Sequence, residues 1–341
     1  MNQPVLSEFS RRAMATEFSV MLPGMIGKSA DSALSALAEV EAIENELSIY
    51  VPRSDVSRLN QAAGAGPVPV SPITLEVLDR ASMLSRLTDG AFDITAGPLV
   101  EAWGFTKRRG QKPSSEVVQA ALARVGYQKL VLDHERGTAE LVEPGMAVNL
   151  GAIGKGFALD RIAASLRAAG IDDFLVHGGR SSVLVAGDDE PGTGSGWRVA
   201  VEHPLLPGTR LGGLRLTGQA PAGQALGTSG SGKQFFHHQG RRMGHVIDPR
   251  TGWPSGDMLS LTVLAPSAMD ADALATGLFV LGWDHASRLV QGDEPESASA
   301  TRPALLVSDV ALIGVFPTGR QAGVELRRTG LAEGTWIEHS D

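Results

Sequence analysis

Cysteine is absent from the 341 residues. Disulfides, thiolate catalysis, cysteine-held zinc and iron–sulfur clusters are therefore all excluded together. Basic residues are outnumbered, 30 against 38 acidic, for a formal charge of −8. No nucleic-acid partner is expected, because phosphate backbones call for a basic footprint. No window holds about 18 uninterrupted apolar residues, so stable membrane insertion is not expected either. Arg11-Arg12 is followed by a mixed stretch that Glu17 interrupts and Pro23-Gly24 ends, unlike the apolar run of an export leader, and a cytoplasmic location is the expectation. HExxH and Gly-x-Ser-x-Gly do not occur. The zinc metalloprotease and serine hydrolase patterns fail with them, although His177-Gly178-Gly179 resembles an oxyanion turn.

Apolar residues make up 43% of the chain, enough for a substantial core, and 41 glycines imply many turns and close backbone approaches. Helical spacing of apolar residues predicts helices over Ala30 to Leu47, with Leu34 and Leu37 in the stripe, and over Ile73 to Leu87, Val117 to Val125, Phe157 to Ala168 and Met269 to Leu281. Short apolar or alternating runs predict strands at Ala15 to Leu22, Lys129 to Leu132, Ala139 to Val142, Phe174 to His177, Ser182 to Val185, Trp197 to Val201, Leu211 to Leu216, Gln234 to His237, Leu259 to Leu264, Ala304 to Val307 and Val310 to Phe316. Asp293 to Arg302 reads as a solvated loop. Helices interspersed with many short strands favour a mixed α/β or α+β body over a doubly wound sheet.

Four segments could carry chemistry. In Asn149-Leu150-Gly151-Ala152-Ile153-Gly154-Lys155-Gly156 a strand-like run enters a helix, so glycine backbone, helix-start amides and Lys155 could meet a phosphate; a plain strand-to-helix turn is the bland alternative. Gly227-Thr228-Ser229-Gly230-Ser231-Gly232-Lys233-Gln234 has Walker A spacing but Gln234 in the Ser/Thr place, so it reads as a turn, flexible or presenting Thr228 or Ser229 to a ligand. Ser267 is placed to cap the next helix. There Asp272 and Thr276, four apart, put a carboxylate and a hydroxyl on one largely apolar face; these hard oxygens suit Mg²⁺, unless Asp272 is a solvated residue. In His245-Val246-Ile247-Asp248-Pro249-Arg250-Thr251-Gly252, His245 could take a proton from a hydroxyl nucleophile, and Arg250 could bind phosphate or brace Asp248.

Taken in order, SIYVPRSDVSRLN at Ser48 to Asn60, GAFDITAGPLVEAWGF at Gly90 to Phe105, NLGAIGKGFALD, GTSGSGKQFF, GHVIDPRTG and DADALATGLFVLG at Asp270 to Gly282 resemble the FAD:protein FMN transferase family. The resemblance implies a two-lobed α+β fold of that family's type, related to the T-fold, with FAD as substrate in a cleft between the lobes. A catalytic domain would span 14–290, with no internal lobe boundary apparent, and strands in 303–341 would complete it. The implied reaction moves FMN from FAD to a threonine or serine hydroxyl of an acceptor protein and releases AMP. A magnesium-dependent FAD pyrophosphatase and a non-catalytic flavin-binding protein are the alternatives. The resemblance assigns Mg²⁺ to Asp272, Thr276 and the Ala152 carbonyl, and assigns acceptor activation to His245. It assigns flavin contacts to Lys155, Gly156, Asp160, Met14, Asp93 and Thr95, with Thr228, Ser229 and Arg250 completing a phosphate cradle. Two departures stand out: Ala15 replaces the usual glycine of a Met-Gly-Thr start, and Arg180 replaces an acidic or amide residue after Gly178-Gly179.

Overall fold

The computed structural model describes residues 5–24, 27, 29–107, 110–218, 224–231, 235–238, 241–293, 309–319 and 322–338. The expected strand at Ala304 to Val307, almost all of the expected loop at Asp293 to Arg302, and Gly232, Lys233 and Gln234 lie outside the described residues. The chain opens with a hairpin, β1 (Leu6–Ala13) and β2 (Thr16–Pro23), followed by α1 (Ser29–Leu47), α2 (Asp55–Gln61), β3 (Val68–Pro69) and α3 (Pro72–Leu87). α4 (Gly97–Ala102), α5 (Ser115–Leu122), β4 (Leu130–Asp133) and β5 (Thr138–Leu141) lead to α6 (Gly154–Ala168). Then come β6 (Phe174–Gly178), β7 (Ser182–Ala186), β8 (Trp197–Glu202), β9 (Arg210–Leu216), β10 (Gln224–Gly230), β11 (Phe235–His238), β12 (Arg241–Gly244) and β13 (Ser260–Ala265). α7 (Ala268–Leu281), α8 (Trp283–Gln291), β14 (Ala311–Pro317), β15 (Val324–Thr329) and β16 (Trp336–Glu338) follow.

The centre is an eight-stranded antiparallel sheet in the order β1-β2-β6-β7-β10-β13-β14-β15. Alternate residues of its inner strands face opposite ways, and both faces are covered. Val176, Leu184, Ala225, Val263 and Leu312 join the core under α1, α6 and α7. Leu175, Val183, Leu226, Leu264 and Ile313 join a second core with Trp197, Val201, Leu214 and Leu216 of a small sheet ordered β16-β9-β8. Double coverage explains why SVLVA at Ser182–Ala186 is buried at every position.

Helix starts follow local chemistry. Ser54, Ser71, Ser114 and Ser267 each accept a hydrogen bond from the backbone N–H three residues on, leaving fewer unpaired amides in the first turn. Arg80 of α3 grips Asp270 of α7 through two guanidinium nitrogens, Nε at 2.6 Å.

Three expectations are corrected. Leu34 is half-exposed rather than part of the buried stripe of α1, which runs through Ala33, Ala36, Leu37 and Val40. The Gly227 segment does not begin as a turn: Gln224–Gly230 is a central strand between β7 and β13, and a turn starts only at Ser231. The segment Phe92 to Gly110, whose Gly, Pro and aromatic content predicts an irregular shaped surface, contains α4, whose neighbour Trp103 is fully buried and donates its indole N–H to the Gly252 carbonyl at 2.9 Å. No helix among the described residues is long and apolar enough to cross a membrane.

Candidate active site

One cleft of about 1130 Å³ runs between the start of α6, the ends of β6, β7 and β10, the His245 loop and the small sheet. Ala152, Lys155, Thr228, Ser229, His245, Asp272, Thr276 and Asp93 all line it. Residues from Asp93 to Thr276 are thus brought to one place.

Asp272 is its deepest carboxylate, 5% exposed. Oδ1 accepts from the Ser182 hydroxyl at 2.6 Å, and Oδ2 accepts from the Gly156 N–H at 2.9 Å and from Lys155 Nζ at 3.2 Å. Such a group needs this much compensation, because an unpaired buried charge is costly. Asp272 is therefore no solvated helix residue. One turn on, the Thr276 hydroxyl shares a 2.8 Å hydrogen bond with the Ser229 hydroxyl, and Thr228 shares one of 2.9 Å with Thr262.

Two glycines set the position of α7. A Cβ on Gly156 would run into the backbone of Ala268 and Met269, and a Cβ on Gly227 would stand 2.5 Å from the Ala271 carbonyl group. α6 and β10 reach the helix only because both side chains are missing. Gly156 does not line the cleft, and its contribution is the amide that holds Asp272.

Several expected flavin contacts lie elsewhere. Asp160 faces the start of α7, where Oδ1 accepts from the Ala268 N–H and Oδ2 from the Met269 N–H and the Ser267 hydroxyl, each within 2.9 Å. It does not line the cleft. Burial pushes its carboxyl up to about 6. Met14 packs over Gly154 from the β1–β2 turn and is likewise outside the lining. Thr95 is fully buried; it donates to Asp93 Oδ1 at 2.7 Å and accepts from the Gly126 N–H at 2.8 Å. Asp93 does border the cleft, but its oxygens are engaged by Thr95 and the Tyr127 N–H, and burial raises its carboxyl above the usual range. Arg250 makes the brace rather than the phosphate contact: Nε and Nη2 each lie 2.9 Å from the Asp248 carboxylate, and the residue is not in the lining.

His245 borders the cleft half-buried, its ring edge-on to Phe105 with 6.3 Å between centres. Sequence reasoning missed Ser182, although it lies beside the Gly178-Gly179 turn that drew notice. It gave no site role to Tyr50 either, while Asn149, His177 and Arg180, which it named within their motifs, also line the cleft. Burial lowers the His177 imidazole below its usual value, and the nearby Arg180 charge adds to that effect. Among the described residues there is no group of three or more His, Cys, Asp or Glu side chains able to hold a metal. A cation at Asp272 would depend on a hydroxyl and a backbone carbonyl as well.

A family model described as the ApbE family matches residues 14–300. An FAD:protein FMN transferase from Haemophilus influenzae is 36% identical over 267 residues, covering 74% of each chain. One from Escherichia coli is 33% identical over 291 residues, covering 82% of this chain and 80% of that one. Among solved structures, the flavin transferase ApbE from Vibrio cholerae superposes with a TM-score of 0.76 at 27% identity, covering 96% of this chain and 97% of that one. The ApbE protein from Thermotoga maritima superposes with a TM-score of 0.78 at 26% identity, covering 94% and 96%.

Proposed function

The chain belongs to the ApbE family, and from that membership together with the cleft we propose that it moves FMN from FAD to a threonine or serine hydroxyl of an acceptor protein. The observation that carries this reading is the convergence of Lys155, Asp272, Thr276 and His245 on one cleft large enough for a dinucleotide. In the proposed step the acceptor oxygen forms a bond to the phosphorus on the FMN side of the pyrophosphate. The bond between that phosphorus and the bridging oxygen breaks, and AMP leaves.

The residues fit a hard divalent cation such as Mg²⁺: Asp272 supplies a carboxylate, Thr276 a hydroxyl and Ala152 a carbonyl, all bordering the cleft, and such an ion completes its shell with waters and phosphate oxygens. When bound there it would neutralise pyrophosphate charge and polarise the phosphorus. Lys155 supplies positive charge beside Asp272 in the free protein and is within reach of an incoming phosphate. His245 takes the acceptor proton as the hydroxyl attacks. Ser182 and the Gly156 amide orient Asp272.

Incubation with FAD, Mg²⁺ and candidate acceptor proteins, read by intact mass and AMP release, tests the proposal. Modified acceptor and AMP should appear together; AMP with free FMN and an unmodified acceptor would make the protein a pyrophosphatase instead. Asp272→Asn should lower turnover at limiting Mg²⁺ by about a hundredfold, the size of losing one preorganised charge contact. His245→Ala should impair transfer by about 10²–10⁴-fold with little change in FAD affinity, and equal losses in both would reassign the ring to binding.

A further inference from the structure

β8 borders the cleft along most of its length. Arg198, Val199, Ala200, Val201 and Glu202 all border the cleft in succession, whereas a strand presenting one face would contribute only alternate residues. Among the described residues β8 pairs with β9 alone, so its other edge has no partner.

The register identifies the groups on that edge. Arg215 of β9 stands opposite Arg198 and donates its N–H to the Thr335 carbonyl at 2.8 Å, away from β8. In an antiparallel ladder the two members of such a pair both turn their peptide groups outward. The N–H and C=O of Arg198 therefore point away from β9, and those of Ala200, two residues on, do the same. Trp197 and Val201 are buried against the second core, which fixes the strand's orientation.

Charge adds a second observation. Arg180, Arg198 and Arg210 all border the cleft, beside Glu202 as the one acidic residue of β8, and none of the three forms an ion pair among the described residues. On a chain of net charge −8 this local excess complements an acidic partner.

We propose that the free edge of β8 is the docking strand for the acceptor protein. An extended, acid-bearing segment pairs with the peptide groups of Arg198 and Ala200, and its carboxylates meet the three arginines. Strand addition gives affinity through main-chain hydrogen bonds while side chains at alternate positions give selectivity. The inference rests on the transferase reading, since only a polypeptide substrate can add a strand.

The test uses a synthetic acidic peptide with one central threonine, with FAD and Mg²⁺. N-methylation of one alternate set of its amides should raise the apparent KM about tenfold, the size of one lost backbone hydrogen bond, while the other set should be tolerated. Ala200→Pro removes an outward N–H at a place where an edge strand accepts proline, and should raise the peptide KM by a similar factor of about ten with the FAD dissociation constant unchanged within about twofold. Ala200→Ser, which keeps the N–H, should match the parent. Indifference to both methylation patterns, or an unchanged KM in Ala200→Pro, overturns the inference. It is equally overturned if the parent enzyme cleaves FAD but leaves the peptide unmodified, if Ala200→Pro chiefly weakens FAD binding, or if sedimentation shows a dimer joined through β8. A chain that neither binds nor cleaves FAD fails before any peptide is added; that result removes the transferase reading itself and this inference with it.

Discussion

Asp160 serves the site without entering it, and its titration should be visible in the stability of the protein. Its ordinary carboxyl value is 3.8 and burial pushes it up to about 6 in the fold, against three hydrogen bonds that favour the charged form. The folded chain therefore holds this proton more tightly than the unfolded chain. The stabilisation is complete below about pH 4 and is lost as pH rises through about 6, amounting to about 3 kcal/mol at most. Urea unfolding of the parent and Asp160→Asn should show the parent losing stability relative to the variant across that window; parallel profiles would refute it. Residue types were legible in the sequence where a motif framed them, as with Lys155, Asp272 and His245. Most of their partners were not: the spacing offered Arg250 as a brace for Asp248, but nothing in it says that Asp160 caps α7 or that Ser182 reaches Asp272 from 90 positions away. Backbone conformation shows what the two departures cost, and nothing in the structure explains why they are made. Ala15 has φ 57° and Arg180 φ 62°, left-handed values that glycine or asparagine adopts more readily. Both residues sit in tight hairpin turns.

β10 illustrates where element-level reading fails. A run of glycine, serine and threonine has the composition of a loop, yet β7 and β13 both pair with it and α7 lies against it. Tertiary context overrides weak strand propensity here, because the helix needs a surface without a Cβ. Gly227→Ala should push α7 away from β10, destabilise the fold by about 1–3 kcal/mol and depress turnover through the Ser229–Thr276 and Asp272 contacts. Gly256→Ala is the control, since a Cβ there meets open space. Unfolding midpoints and turnover of the two variants check the difference, and similar behaviour would show that the close approach is not limiting. The helices at Ser29–Leu47, Pro72–Leu87 and Ala268–Leu281 were legible from apolar spacing, to which the Ser267 cap adds in the last of them. β1, α8 and β16 were not, being short or mostly polar and held by pairing and packing with distant chain.

At the scale of the whole molecule, the sheet buries both faces, and its second covering layer is closed by residues far apart in sequence. β16 pairs with β9, and the Trp336 ring lies where a Cβ on Gly212 would stand. Ending the chain after Gly334 should strip that edge, lower the melting temperature by a few degrees, on the order of 2–4 °C per kcal/mol lost, and impair acceptor modification more than FAD affinity. Thermal unfolding with separate FAD and acceptor titrations checks this, and an equal loss of both would count against a role for the small sheet in acceptor docking. Mixed α and β content was readable from the order of elements, but the sheet order was not, because apolar runs buried on both sides carry no mark of which neighbour they meet. The gap between the Lys155 turn and Thr276 is set in part by missing atoms, at Gly156 and Gly227, rather than by an attraction alone. A spacing fixed by steric vacancy does not weaken with added salt or with protonation. The frame of the reaction centre should therefore keep its dimensions under ionic conditions that alter every charge within it.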